Sequence, residues 1–141
     1  VMEDNRTAII DSEDKRQYLG FIQDVIKRMA GNSASLKAWL APILTLVFAL
    51  GAVKTNVLVF VAGLIVTVAF WMMDAQYLRL ERAYRRLYGK AVDGDTRLYD
   101  LDPSPYDNGA CDYLNALFSW STAGYYLVLI VAGIGVCLFV I

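Results

Sequence analysis

The most restrictive feature of this 141-residue sequence is one helical pattern that runs from an apolar into a charged composition. Residues 57–73 (VLVFVAGLIVTVAFWMM) carry no charge, and Thr67 is their only strongly polar side chain. Charged residues then crowd into 74–90, and neither glycine nor proline separates the two halves. An apolar run of this length extends about 26 Å as a helix, which is enough for a thin hydrocarbon core. The pattern predicts a membrane-spanning helix that continues as a polar arm.

The composition indicates a membrane protein and argues against several kinds of site. Hydrophobic residues make up 57 % of the sequence, more than a small soluble domain usually carries. There is no histidine, the commonest metal ligand and general base. Cys111 and Cys137 lack the spacing of a zinc site and are predicted to lie at different depths. Nothing has the spacing of a nucleophile and its base or of a phosphate loop. We therefore predict no enzyme, no bound cofactor and no metal.

The first part of the chain is predicted to precede the membrane spans. Residues 1–11 are charged and irregular, which indicates a flexible acidic tail. A cytosolic amphipathic helix is predicted over 12–31, where apolar residues recur every three or four positions. We expect Gly31 and Asn32 to end this helix, because both tolerate the left-handed C-cap conformation.

The first transmembrane helix, TM1, is predicted over 36–53, with Ser33 or Ser35 as its N-cap. Its uncharged run is short, so we expect Lys37 to snorkel towards the membrane interface. Residues 54–56 are too few for anything but a tight connection. TM1 and TM2 are therefore predicted to be antiparallel neighbours.

The complete prediction is an all-α membrane protein with three transmembrane helices, cytosolic amphipathic helices and a homo-oligomeric assembly. From TM2 onwards its segments are TM2 at 57–73, a cytosolic helix at 74–90, an acidic cytosolic loop at 91–112, an interfacial turn at 113–120 and TM3 at 121–141.

The distribution of cations predicts the orientation. Lysine and arginine cluster before TM1 and after TM2, while only Lys54 lies between them. Because cytoplasmic segments carry the excess of cations, the N-terminus and residues 74–120 are predicted to be cytoplasmic. The C-terminus is predicted to be periplasmic, and the membrane is the bacterial inner membrane. Trp39, Trp71 and Trp120 fall at the same predicted boundary, where indole rings settle.

TM3 presents two faces with different chemistry, and no span holds an ionisable residue for an ion-coupled transporter. Its small residues allow close helix approach, and we expect this face to pack; they are Ser121, Gly124, Val128, Ala132 and Gly135. A pore or gate that closes by dewetting is instead predicted to be lined by Thr122, Tyr126, Leu129 and Gly133. Such side chains are equally compatible with ordinary helix packing.

The polar arm supplies a candidate binding surface and a candidate packing stripe. A polyanion, either lipid or nucleic acid, is predicted to contact Arg79, Arg82, Arg85, Arg86, Tyr84 and Tyr88. The alternative is an ordinary cationic flank with intrahelical pairs such as Glu81–Arg85. Apolar stripes that pack antiparallel, within a chain or between chains, are predicted from Ile22, Ile26, Met29, Tyr77, Leu80 and Leu87. We interpret them as an oligomerisation stripe.

Two stretches carry a resemblance to a known family. Residues 14–33 (DKRQYLGFIQDVIKRMAGNS) are followed by Lys37, Trp39 and residues 77–88 (YLRLERAYRRLY). Together they resemble small bacterial transmembrane effectors of anti-phage, abortive-infection systems of the Hailong type, which pair with a nucleotidyltransferase. The resemblance covers roughly residues 14–90. It implies a homo-oligomer that permeabilises the inner membrane under control of a nucleotide or oligonucleotide signal, with a soluble nucleotidyltransferase as partner.

The sequence therefore predicts an oligomeric inner-membrane pore or channel, in contact with membrane lipid and gated by its cytosolic helices. Its predicted role is anti-phage defence through membrane depolarisation and growth arrest. The alternative function is a non-conducting membrane anchor or scaffold that recruits a soluble partner. Conductance of the purified protein in a bilayer separates the two.

Overall fold

The computed structural model describes the backbone of residues 2–140 and the side chains of residues 12–140, and this part of the chain contains helices but no β-strand. The elements are α1 (Met2–Lys54), α2 (Val57–Asp93), a 3-10 turn (Ser104–Tyr106), α3 (Ala110–Leu117) and α4 (Trp120–Val140). Three of them, α1, α2 and α4, are long and apolar enough to cross a membrane. This confirms an all-helical chain with three candidate membrane-spanning helices.

Helix α2 confirms the continuous helix that the sequence predicts across the apolar and charged segments. It begins after Asn56, whose side chain accepts a hydrogen bond from the Leu58 amide at 3.0 Å. It ends at Gly94, whose φ of 83° lies in the left-handed region that glycine adopts without strain. The arm therefore extends to Asp93, three residues beyond the predicted end, and the predicted loop at 91–112 starts later.

Helix α1 is one element where the sequence predicts a tail and two helices. It begins at Met2 and passes through the predicted break at Gly31 and Asn32 without interruption. The predicted cap, Ser33, does not turn back to its own helix, because its hydroxyl donates to the Asp74 carboxylate of α2. With this polar side chain satisfied by a neighbouring helix, the backbone remains helical and the predicted separation of 12–31 from 36–53 is wrong.

The segment after α2 is shorter and more ordered than the predicted acidic loop. Residues 94–109 connect α2 to α3 and include the 3-10 turn. Helix α3 begins at Ala110 and ends at Leu117, so it overlaps but precedes the turn predicted at 113–120. Helix α4 begins at Trp120 and agrees with TM3 to within one residue, while Ile141 lies outside the described residues.

Helices α1 and α2 form a long antiparallel hairpin, as the sequence predicts. Thr55 turns the chain with a φ of 48°, and the Asn56 amide donates to the Gly51 carbonyl at 3.2 Å. Two buried clusters hold the hairpin. One consists of Tyr18, Ile22, Leu87 and Ala91, and the other of Leu40, Leu44 and Tyr126. In the first cluster, which lies outside the apolar stretches of the chain, each large apolar side chain that is buried contributes about 1.5–3 kcal/mol.

The two clusters lie on either side of a boundary in composition. We call residues 12–36 and 74–119 the polar end, and residues 37–73 and 120–140 the apolar end. The polar end contains the first cluster, the connection at 94–109 and α3. The apolar end contains the second cluster and the apolar stretches of the three candidate membrane-spanning helices.

Candidate functional site

Two arginines of α2 are held by carboxylates from the segment that follows it. The Arg79 Nε lies 3.0 Å from both Asp107 oxygens, and its Nη2 lies 2.6 Å from Oδ2. The Arg86 Nη1 donates to Asp112 Oδ2 at 2.5 Å and to the Tyr106 carbonyl at 2.6 Å. Paired charged groups at these distances make stronger hydrogen bonds than neutral ones. We call the pairs Arg79–Asp107 and Arg86–Asp112 the arginine clasp.

The arginine clasp lowers the pKa of both carboxyl groups. The hydrogen bond from Arg86, followed by that from the Asn108 amide, lowers the pKa of Asp112 from 3.8 to about 2. The hydrogen bond from Arg79 lowers the pKa of Asp107, and a bond from the Gly109 amide adds to it. Both acids are therefore ionised at neutral pH, and the clasp is closed there.

The other cations of the arm also have partners within the chain. The Arg82 Nη2 donates to Ser119 Oγ at 3.0 Å. Arg85 pairs with Glu81 at 2.7 Å, which confirms the intrahelical pair that the sequence suggests. Lys90 lies 3.3 Å from an Asp95 carboxylate oxygen. The arm consequently offers paired cations and not a row of open guanidinium groups.

The residues of the predicted polyanion site are engaged in contacts within the chain. Tyr84 and Tyr88 pack against the buried Tyr18 cluster, and the Tyr88 hydroxyl accepts a hydrogen bond from Gln23 at 3.0 Å. Both side chains are therefore partly buried within the chain. Polyanion binding stays a prediction, and such a ligand competes with Asp107 and Asp112 for Arg79 and Arg86.

A buried ion pair links α1 to α2 where the polar end meets the apolar end. The Asp74 side chain has no solvent exposure, and its Oδ2 lies 3.0 Å from Lys37 Nζ. Its Oδ1 accepts the hydrogen bond from the Ser33 hydroxyl, and Lys37 also donates to Ser33 at 3.4 Å. Lys37 therefore does not simply snorkel, as predicted, but neutralises a buried carboxylate. We call Ser33, Lys37 and Asp74 the junction cluster.

Helix α4 closes the junction cluster from a third side. The Tyr125 hydroxyl donates to the Lys37 carbonyl at 3.0 Å. The Tyr126 ring stacks on Trp71, with ring centroids 6.2 Å apart and planes 9° apart. The Tyr126 hydroxyl is buried without a hydrogen-bond partner, close enough to Asp74 to interact electrostatically. Groups from α1, α2 and α4 thus meet at one point.

Sequence reasoning missed the junction cluster, although the sequence contains a signal for it. Lys37 lies as many residues before Lys54 as Asp74 lies after Val57. In an antiparallel hairpin with a tight turn at 54–56, residues at equal distance from the turn lie side by side. Applied to the whole length of both helices, the predicted hairpin places Lys37 beside Asp74.

The predicted pore lining is packed inside the chain. Thr122 and Tyr126 are fully buried, and Gly133 lies against the ring of Phe48. Leu129 is partly buried against the Leu40 cluster. Within this chain Tyr126 and Gly133 therefore face α1 and α2, Thr122 is bonded to carbonyls at the end of α3, and Leu129 alone of the four borders an open surface cavity.

The small face of α4 points the other way. Val128 is 67 % exposed, and Ser121, Ala132 and Gly135 are also exposed. The expected close packing of this face therefore does not occur within the described chain. The packed face of α4 is therefore the one that carries Tyr126 and Gly133, and not the small face that the sequence suggested. Phe48 of α1 and Trp71 of α2 contact this side.

The predicted oligomerisation stripe is used largely within one chain. Ile22 and Leu87 belong to the buried cluster of the polar end, and Ile26 packs against it. Met29, Tyr77 and Leu80 are only half-buried. Oligomerisation through this stripe stays a prediction, which now rests on the half-buried residues alone.

Among the described residues, no group of three His, Cys, Asp or Glu side chains is placed to hold a metal ion. Comparison of the chain with protein-family models, with curated proteins and with solved structures found no match. The function is therefore argued from the junction cluster and the arginine clasp.

Proposed function

We propose that the chain is the subunit of an oligomeric membrane pore whose polar end controls opening. The observation that supports this most directly is the continuity of α2, which runs from Val57 to Asp93 through the apolar end into the polar end. A helix of this length spans about 55 Å without a hinge. Any rotation or tilt imposed on the arm therefore reaches the apolar end.

The contacts that hold the arm to the rest of the polar end are where a ligand can control this movement. The arginine clasp fixes 94–112 to the arm, and the Tyr18 hydroxyl donates to the Asp100 carbonyl at 2.5 Å. The connection is thereby tied to both long helices. A ligand that opens the clasp changes how α1 and α2 are held together at the polar end.

The apolar end supports assembly because it leaves most of its apolar side chains uncovered. Only 11 % of the most apolar window of α4 is buried inside the chain. Leu138 and Phe139 are nearly fully exposed. Either lipid or further copies of the chain have to cover such a surface. In our proposal copies cover part of it, and the contacts between them enclose the pore.

The proposed orientation places the polar end in the cytoplasm of a bacterium and the end of α4 in the periplasm, following the distribution of cations. An impermeant maleimide applied to intact cells tests it, with Cys111 as the native probe. We expect no reaction at the exposed Cys111 and reaction at a Thr55→Cys variant. Labelling of Cys111 in intact cells would reverse the proposed orientation.

The resemblance to anti-phage effectors suggests the biological role: depolarisation of the inner membrane and arrest of growth, under control of a nucleotide or oligonucleotide signal and a soluble nucleotidyltransferase. The arginine clasp supports an anionic signal, because a phosphate competes for the same guanidinium groups as Asp107 and Asp112. We propose no catalysis by this chain.

The decisive experiment measures ion flux. Purified protein in liposomes is compared with an Asp107→Asn/Asp112→Asn variant, in which the clasp has lost both carboxylates. We expect a change in flux of at least about tenfold, since two charged contacts that hold the arm are removed. Asp102→Asn is the matched control, because Asp102 bonds Ser104 inside its own turn.

A non-conducting anchor is the competing function, and one observation favours it. The only polar residues predicted to line a pore, Thr122 and Tyr126, are buried inside the chain. An anchor requires no polar lining. Absence of flux from the wild type, from the clasp variant and from the protein supplied with polyanion would establish the anchor and exclude the pore.

A further inference from the structure

The junction cluster differs from the other ion pairs of the described chain in its burial. Asp74 has no exposed surface and its partner Lys37 is 22 % exposed. Asp95, in contrast, pairs with Lys90 in the open, where both side chains are about half exposed. A surface pair can separate gradually into water at little cost. A buried pair cannot, because a separated but dry charge is strongly unfavourable.

Because Asp74 is buried, its charge is compensated in only two kinds of arrangement. In one, Lys37 and Asp74 are in contact and Asp74 is excluded from solvent, as in this structure. In the other, α1 and α2 have moved apart far enough for water to hydrate both charges. The arrangements between them leave the Asp74 carboxylate with neither Lys37 nor water, so we expect them to be sparsely populated. Two discrete states separated in this way are what a switch requires.

The Tyr126 hydroxyl beside Asp74 provides a second observation, because it and Asp74 Oδ2 are both buried without a hydrogen-bond partner. A buried polar group without a partner is unfavourable, and water that enters the junction would satisfy it. The hydroxyl thereby favours the hydrated arrangement and lowers the free-energy difference between the two arrangements. It lies on α4, so it also couples the third helix to the separation of the first two.

We propose that the junction cluster is a hydration-dependent latch: Lys37, Asp74 and Ser33 hold the three apolar helices together in the closed state, and the unpartnered Tyr126 hydroxyl sets how readily water opens it. The latch rests on the proposed function only where opening is measured as flux. Its mechanical part concerns the separation of α1 from α2 and can be measured without any conductance.

The test is a charge-removal cycle on the full-length protein in liposomes. Lys37→Met leaves the buried Asp74 without its partner, and Asp74→Leu leaves Lys37, which is 22 % exposed, without its partner. We expect each to increase dye efflux at least about tenfold and to accelerate amide exchange in 33–37 and 71–78. The double variant Lys37→Met/Asp74→Leu leaves no charge, and we expect efflux and exchange to return to the wild-type level or below.

Two further variants keep the test valid where a single charge removal prevents folding. Ser33→Ala removes one hydrogen bond from Asp74, and we expect a smaller increase in exchange of roughly threefold. Tyr126→Phe removes the unpartnered hydroxyl while keeping the ring on Trp71, and we expect slower exchange than in the wild type. Lys90→Met, which breaks an exposed pair, is the control and should change neither readout.

The outcomes separate the latch from the pore. If amide exchange changes among the variants as expected but no variant releases dye, the latch is supported and the pore is rejected. A double variant that exchanges as fast as the single variants overturns the latch, as does a Tyr126→Phe variant that exchanges faster than the wild type. Unchanged exchange in Ser33→Ala, together with single variants that fail to fold, also overturns it, since the cluster is then only structural.

Discussion

At the polar end, Tyr18 and Ile22 of α1 are covered by Leu87 and Ala91 of α2, whereas at the apolar end most large apolar side chains face outwards. The polar end is further closed by the arginine clasp, which spans from α2 to α3. The apolar end has a single small cluster around Leu40. The polar end thus has most of its packing within one chain, although Leu114 and Phe118 are exposed, while the apolar end requires lipid or other copies. The junction cluster lies where the polar end meets the apolar end.

The largest loss of stability among these tests of the two ends is expected at Ile22, which has no exposed surface. Ile22→Ala deletes buried methyl groups and should destabilise the polar end by about 2–5 kcal/mol. Hydrogen exchange over 12–36 and 74–93 measures it. Phe21→Ala, at a neighbouring side chain that is 42 % exposed, should cost much less. A loss of oligomer mass without faster exchange would place the stripe between chains and break the contrast.

The next effect concerns the contact of α4 with the hairpin. A Cβ added at Gly133 would lie 2.6 Å from Phe48 Cζ, while one added at Gly135 would meet nothing within 4 Å. Gly133→Leu should therefore destabilise the apolar end by about 1–3 kcal/mol through overpacking. Gly135→Leu is the matched control on the outer face. Thermal unfolding in detergent compares them, and equal melting temperatures would show that the Gly133 side is not the packed side.

Acid should open the polar end while the apolar end persists. The pKa of Asp112 is about 2 in the folded chain and 3.8 without its partners. Because the folded pKa is the lower one, the stabilisation is complete above pH 3.8 and is lost as the pH falls towards 2. Exchange over 94–112 should rise in that window, and the α4 amides should stay protected. A connection that stays protected at pH 2 would contradict the clasp.

The smallest effect is expected at Arg85, whose side chain is 64 % exposed although it pairs with Glu81. Arg85→Ala should change the free energy of unfolding by less than about 0.5 kcal/mol, since exposed ion pairs contribute little. Chemical denaturation in detergent measures it. A loss comparable to that of Ile22→Ala would mean that this surface is covered by another chain.

Much of the fold could be predicted because it depends on local chemistry. The continuity of α2 and the tight connection at 54–56 follow from an unbroken helical pattern and from a connection of minimal length. The break at Gly31 and Asn32 was predicted wrongly for the same reason. Cap signals are local, and they did not include the Asp74 carboxylate that binds Ser33 from another helix.

The candidate site was less predictable because its members are distant in sequence. Arg79 was recognised as a cation, yet its partner Asp107 depends on the path of the connection. The buried face of α4 depends on the position of Phe48, which helical periodicity does not determine. Periodicity shows that a helix has two faces, and only tertiary packing selects the one that is covered.

The bond between Tyr18 and Asp100 has a consequence for how the chain is made. These residues are separated by 82 positions, and at about 5–20 residues per second their synthesis is roughly 4–16 s apart. The tight turn between α1 and α2 allows the hairpin to form while the ribosome is still translating. Tyr18 of α1 must nevertheless wait for the connection before its hydroxyl is hydrogen-bonded to the Asp100 carbonyl. Translation speed between residues 60 and 100 is therefore a determinant of how long this helix face stays open to chaperones and proteases.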